Sequence, residues 1–165
     1  MKKTGFSLTE LLIVVVIVII LAIFVVLAIN PSKMMTKSRD AERSKDLTAI
    51  ATALDLYLAD NKDFKGLTGP YLSTSAGSNS AQKNDGTSWI PIKFNTISSG
   101  TPLGTLPLDP LNNDTYHYTL GIDPVAKTYE INCVFELPDN VKKESTDGGN
   151  NANVYEVGTD LTILP

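Results

Sequence analysis

The chain has 165 residues, a formal net charge of −4 and a single cysteine, Cys133. That length supports one modest domain beside any membrane segment, and one cysteine excludes a disulfide within one chain. The acidic balance argues weakly against general nucleic-acid binding.

The N-terminus reads Lys2-Lys3-Thr4-Gly5, then Phe6-Ser7-Leu8-Thr9-Glu10, then an unbroken run of Leu, Ile, Val, Ala and Phe from Leu11 to Ile29. As a helix rising about 1.5 Å per residue, the run reaches roughly 28 Å, close to the ~30 Å hydrocarbon core of a bilayer. A secretory signal would need a shorter apolar core of about 7–15 residues and a small-x-small cleavage site. Asn30-Pro31-Ser32 is not such a site. A plain uncleaved anchor fits the length but gives Glu10 only the place of a boundary residue near the headgroups. An ionisable side chain against so apolar a segment is a functional hypothesis whose partner must be named.

Basic leader, glycine, Phe6, the spacing to Glu10 and the apolar run together resemble the class III leader and N-terminus of type IV pilins and pseudopilins. The resemblance implies that a membrane prepilin peptidase cuts between Gly5 and Phe6 and methylates the new amino group of Phe6. It also matches Glu10 to the acidic assembly residue of that family. Thr4 between the lysines and the glycine is a small departure from the pattern. The ammonium created at Phe6 and the Glu10 carboxylate of a neighbouring copy would pair in a low-dielectric surround and set the register of a helical bundle. The implied partners are further copies of the chain through their N-terminal helices, the prepilin peptidase, an assembly platform with its motor ATPase, and the membrane. No cofactor, specific nucleic acid or catalytic residue is expected.

The implied location is a single-pass cytoplasmic membrane protein with its C-terminal domain outside, and after assembly a surface filament. Lys33, Lys37, Arg39, Arg43 and Lys45 follow the run closely and outnumber Lys2 and Lys3. Counting basic residues alone would place the C-terminal side in the cytoplasm, whereas the resemblance requires a cytoplasmic leader.

Asn30-Pro31 reads as a kink or a fresh helix start, since Pro suits a first helical turn and disfavours helix before it. Between Ser32 and Asn61, Leu47, Ile50, Ala51, Leu54, Tyr57 and Leu58 recur at helical spacing. That apolar stripe needs a sheet to cover it. Arg39 to Asp46 is charged nearly all round, which reads as a solvated face or as ion pairs between subunits. Phe64 to Gly104 is read as a long loop, Ser/Asn/Gly-rich over Ser73–Ser88, with a short strand at Trp89–Phe94.

Beyond Pro110 the apolar residues alternate as strands do: Tyr116, Tyr118, Leu120, Ile122, and again Tyr129, Ile131, Cys133, Phe135, Leu137. With Asp123-Pro124-Val125-Ala126 as hairpin loop, Ile122 faces Lys127 and Leu120 faces Tyr129. Both apolar sets then share one face, and His117 is sent to the side opposite Cys133. A cysteine nucleophile needs a base within reach, so Cys133 is read as core and His117 as surface. Asp109 to Asp114 offers the oxygen ligands calcium prefers, although such turns are common without an ion. Asp147-Gly148-Gly149-Asn150-Asn151 is read as a loop before a last strand near Val154–Val157.

The expected fold class is α+β, pilin-like: a long N-terminal helix on a small antiparallel sheet. Its parts are a leader over residues 1–5, a spanning and polymerising helix over 6–29, an amphipathic helix over 30–62 and a β domain over 63–165. The expected function is a filament subunit. A secretion or competence pseudopilin is the alternative within the family, and a single-span anchored binding module the alternative outside it, with a membrane-tethered enzyme last.

Overall fold

The computed structural model describes residues 5–60, 62–75 and 82–165, with backbone alone for 27–29. The basic Lys2-Lys3-Thr4, Asn61 and residues 76–81 of the polar loop lie outside the described residues. The protein is α+β and divides into two units, Met1–Thr36 and Lys37–Pro165.

In the first unit, helix α1 runs from Leu8 to Ile29. Ser7 caps it: its Oγ accepts from the Glu10 N–H at 3.2 Å while its own N–H donates to Glu10 Oε2 at 2.9 Å. This reciprocal pair satisfies two otherwise orphaned donors at the helix start. Leu8–Val26 is long and apolar enough to cross a membrane, and every side chain from Leu11 to Val26 is exposed. Asn30 then takes a left-handed conformation, φ 48°, which ends α1. Its Oδ1 and its carbonyl both accept from the Lys33 N–H, and helix α2 starts at Pro31 and runs to Ala59. Of the two readings of Asn30-Pro31, the fresh helix start is the one observed.

In the second unit, four antiparallel strands stand in the order β1 (Tyr71–Leu72), β2 (Thr119–Asp123), β3 (Thr128–Cys133) and β4 (Tyr155–Gly158). The apolar stripe of α2 from Leu47 to Leu54 is buried with Leu120, Ile122, Tyr129, Ile131 and Cys133 of the sheet. Tyr118, just before β2, and Tyr129 of β3 bind polar groups of the same helix. The Tyr118 hydroxyl donates to Asp46 at 2.9 Å, and the Tyr129 hydroxyl lies 2.7 Å from Asp55 and 3.1 Å from the Ala51 carbonyl. Their rings stay in the core while their polar tips find partners, as buried tyrosines require.

The β2–β3 hairpin differs from expectation by two residues. Ile122 faces Tyr129 and Leu120 faces Ile131. The loop, four residues as expected but moved on by one to 124–127, closes because the Asp123 carboxylate accepts from the Val125 and Ala126 N–H groups and Lys127 takes a left-handed φ of 59°. A shift of two keeps the side-chain parity, so both apolar sets still share one face.

Three further expectations are corrected. Trp89–Phe94 forms no strand; Pro91 interrupts it, and a single bridge between Asp85 and Lys93 precedes a 3-10 turn at Phe94–Thr96. Trp89, Ile90, Ile92 and Phe94 are nevertheless buried, so this loop completes the core. The alternation through Phe135 and Leu137 is not strand either: β3 stops at Cys133, and Pro138 opens a short helix, α3 (Pro138–Glu144). The last strand begins and ends one residue later than expected.

Candidate functional site

Gly5 and Phe6 precede the cap of α1 and belong to no helix or strand, and Phe6 is 83% exposed. A side chain built on Gly5 would meet nothing within 4 Å. The fold itself therefore makes no steric demand for glycine at that position. Glu10 sits in the first turn of α1, where a carboxylate complements the positive end of the helix dipole. One of its oxygens is committed to the Ser7 N–H, and the Ser7 Oγ also lies 2.8 Å from Thr9 Oγ1. Within this one chain Glu10 thus has a local capping role that sequence spacing alone did not reveal, although Ser7 and Glu10 do stand at capping-box separation.

From Leu11 to Val26 the exposure of the large side chains varies only between 47% and 65%. Among the described residues no face of this stretch, Leu11 to Val26, is covered. An apolar rod of this kind requires lipid or other rods around it.

A second cluster lies in the other unit. Arg43 is fully buried and bidentate to Asp109, with Nε 2.6 Å from Oδ2 and Nη2 3.0 Å from Oδ1. Its Nη1 reaches Asp40 at 2.9 Å and Glu136 at 2.7 Å, and its guanidinium carbon stands 4.9 Å from the centre of the Tyr116 ring. Arg39 clasps Glu136 by two further bonds. Asp40 accepts from the Glu136 and Leu137 N–H groups and from Asn140. Burial would lower the Arg43 pKa, but hydrogen bonds to Asp109, Glu136 and Asp40 overcome it and hold the guanidinium charged. The Arg39 bond holds Glu136 below the usual carboxylate range against the opposing effect of its burial.

This cluster corrects the reading of Arg39 to Asp46. Asp40 and Arg43 are neither solvated nor free to pair with another subunit; they fasten α2 to the loop at Asp109 and to the segment before α3. Glu42 and Lys45 do face solvent. The signal in the sequence was the spacing of Arg39, Asp40 and Arg43 ahead of the apolar stripe, but their partners lie far along the chain. Asp109, read as a candidate calcium ligand, has both oxygens on Arg43, and its Oδ1 also accepts from the Leu111 and Asn112 N–H groups. Among the described residues no group of three or more acidic, His or Cys side chains is placed to hold a metal.

Cys133 is buried in the core, and burial pushes its thiol pKa up, away from the reactive thiolate. His117 falls outside β2, half-buried, with Nδ1 3.1 Å from the Asn113 carbonyl oxygen. Compared with known proteins, the chain matches no family model, no curated protein and no solved structure.

Proposed function

We propose that this protein is a filament subunit of the type IV pilin kind, cut between Gly5 and Phe6, N-methylated on Phe6, held in the membrane by α1 and then polymerised through it. The observation that carries the reading is the junction of a non-helical, exposed Gly5–Phe6 peptide with an apolar helix exposed on every side. A peptidase needs an accessible peptide outside helix and strand, which this one is, and the resemblance to pilin leaders makes Gly5 the residue before the cut. Polymerisation would exchange lipid around α1 for other copies of α1. Glu10 would then face the Phe6 ammonium of a neighbour, with its capping bond to Ser7 fixing where the carboxylate stands.

The further partners follow from that role: the prepilin peptidase, an assembly platform and its motor ATPase. The C-terminal unit would lie outside the cytoplasmic membrane, and on the filament surface after assembly. A pseudopilin of a secretion or competence system has the same chemistry and differs in filament length and use. A single-span anchored module is the competing reading outside the family, favoured by the capping box, which accounts for Glu10 without any partner.

The deciding experiment is intact-mass measurement of the protein purified from membranes. Loss of Met1–Gly5 with addition of one methyl group is the expected result. A mass that retains Met1 would favour the plain anchor. Imaging of long surface filaments that vanish with this subunit then separates pilus from pseudopilus.

A further inference from the structure

In β3 the side chains of Thr128, Glu130 and Asn132 alternate with Tyr129, Ile131 and Cys133 and so point away from α2. Glu156 of β4 stands opposite Asn132 and diagonal to Glu130, within the reach of long side chains. Glu130 is 0% and Glu156 2% exposed. One oxygen of each is committed. Glu130 Oε2 accepts from the Ile163 and Leu164 N–H groups at 2.8 and 3.0 Å, and Glu156 Oε2 accepts from the Asn151 N–H at 3.2 Å. The other oxygens, Glu130 Oε1 and Glu156 Oε1, are buried without a donor, as are Asn132 Oδ1 and Thr128 Oγ1 beside them.

Glu130 also helps to bind the C-terminal segment to the sheet. Leu164 and Ile163 lie on Gly121 of β2, where a side chain would come within 2.7 Å of Leu164. Asn150 donates to the Leu164 carbonyl at 3.2 Å and Asn151 to that of Pro165 at 2.8 Å. The loop that grips Glu156 thus also grips this segment.

The surrounding charges give the pair no cation. Asp147, from the loop before β4, accepts from the Glu156 N–H at 2.8 Å and adds a third negative charge. Asp160, from the C-terminal segment, is turned to Thr162. From α3, Glu144 is committed to the Phe135 N–H, Lys142 pairs with Asp139 and Lys143 lies over the Phe135 ring. Among the described residues neither Glu130 nor Glu156 forms a salt bridge. Two buried carboxylates sharing one site cannot both ionise at low cost. Calcium would need about six to eight oxygens, more than the four free ones here, so a proton is the better occupant.

We propose that Glu130 and Glu156 share one proton between their free oxygens, and that this proton latches the C-terminal segment from Asp160 to Pro165 against the sheet, so that its loss loosens the segment. Burial first, then the hydrogen bond and charge of Glu130 and the charge of Asp147, push Glu156 up to about 7. A carboxyl raised in the folded state stabilises it fully below the ordinary carboxylate range, and that contribution is lost as the pH rises through about 7. The latch is closed in mild acid and loosened in mild alkali.

Hydrogen exchange at the Ile163 and Leu164 amides of the full chain in detergent micelles tests this, with rates corrected for intrinsic exchange at each pH. Protection should fall about tenfold or more between roughly pH 5.5 and pH 8.5, while the ladder amides of Leu120 and Ile131 keep theirs. Glu156→Gln, whose amide imitates the protonated acid, should hold the protection constant across the range. Glu130→Gln, which keeps an acceptor for both N–H groups, serves as the second variant. Unchanged protection in the wild-type chain would overturn the proposal, and so would the same pH dependence in both variants. Recovery of protection at high pH on adding calcium chloride would also overturn it, by assigning the free oxygens to a cation.

Discussion

Arg43 and Asp109, 66 residues apart in the chain, meet through two hydrogen bonds of 2.6 and 3.0 Å with both side chains fully buried. Removing Asp109 takes the bidentate partner from Arg43 and leaves it Asp40 and Glu136, whereas removing Arg43 strands Asp109 and Asp40 in a low-dielectric site, which costs about 3–5 kcal/mol. Asp109→Ala should therefore lower the urea midpoint of the full chain in detergent sharply, followed by the fluorescence of the buried Trp89. Arg43→Met should lower it further than Asp109→Ala, because the buried Asp40 and Asp109 then both lose their cation. An unchanged midpoint in Asp109→Ala would remove the ion pair from the account of stability.

The same cluster gives the acid limb of stability a sign. Glu136 is held below its ordinary range chiefly by Arg39. A depressed carboxyl contributes stability that is present above its unfolded value and lost as the pH falls through the folded one. Acid denaturation profiles should show a loss of stability below roughly pH 4.5, flattened in Glu136→Gln. A Glu136→Gln profile parallel to that of the wild-type chain would contradict this.

Glu10 caps α1, and two substitutions separate that role from the proposed one in assembly. Glu10→Ala removes both the capping box and the charge. Glu10→Gln keeps the side-chain acceptor for the Ser7 N–H, because Gln serves equally in a capping box, yet it cannot pair with an ammonium. If the charge sets filament register, both variants should be cleaved normally and both should fail to assemble, as judged by electron microscopy of sheared surface material. Normal filaments from Glu10→Gln would leave Glu10 with the cap alone.

Gly158 is required by close approach of backbone. A side chain there would stand 2.1 Å from the Tyr129 carbonyl oxygen, an atom that cannot move without breaking the β3–β4 pairing. Gly158→Ala should cost a few kcal/mol and expose the Ile131 and Cys133 amides to hydrogen exchange. Full protection of those amides in the variant would show that the strands can part without loss.

Cys133 should resist iodoacetamide in the folded protein and react fully once guanidinium unfolds it, because its thiol is buried and its thiolate disfavoured. Mass spectrometry before and after unfolding reads the difference. Rapid labelling of the native chain would place Cys133 at the surface.

The sequence determined the features that depend on neighbours in the chain. An unbroken apolar run of that length makes a helix long enough to cross a membrane, and Asn30-Pro31 ends it. Side-chain alternation in β2 and β3 settled which residues share a face even though the register was two residues off, because parity survives a shift of two. What only the tertiary structure decided rests on groups brought together across long loops. Arg43 reads as one charge among many until Asp109 and Glu136 arrive beside it, and Glu130 and Glu156 read as ordinary strand residues until the C-terminal segment shuts water away from them. A charge has its meaning from what surrounds it, and those surroundings are built by the fold.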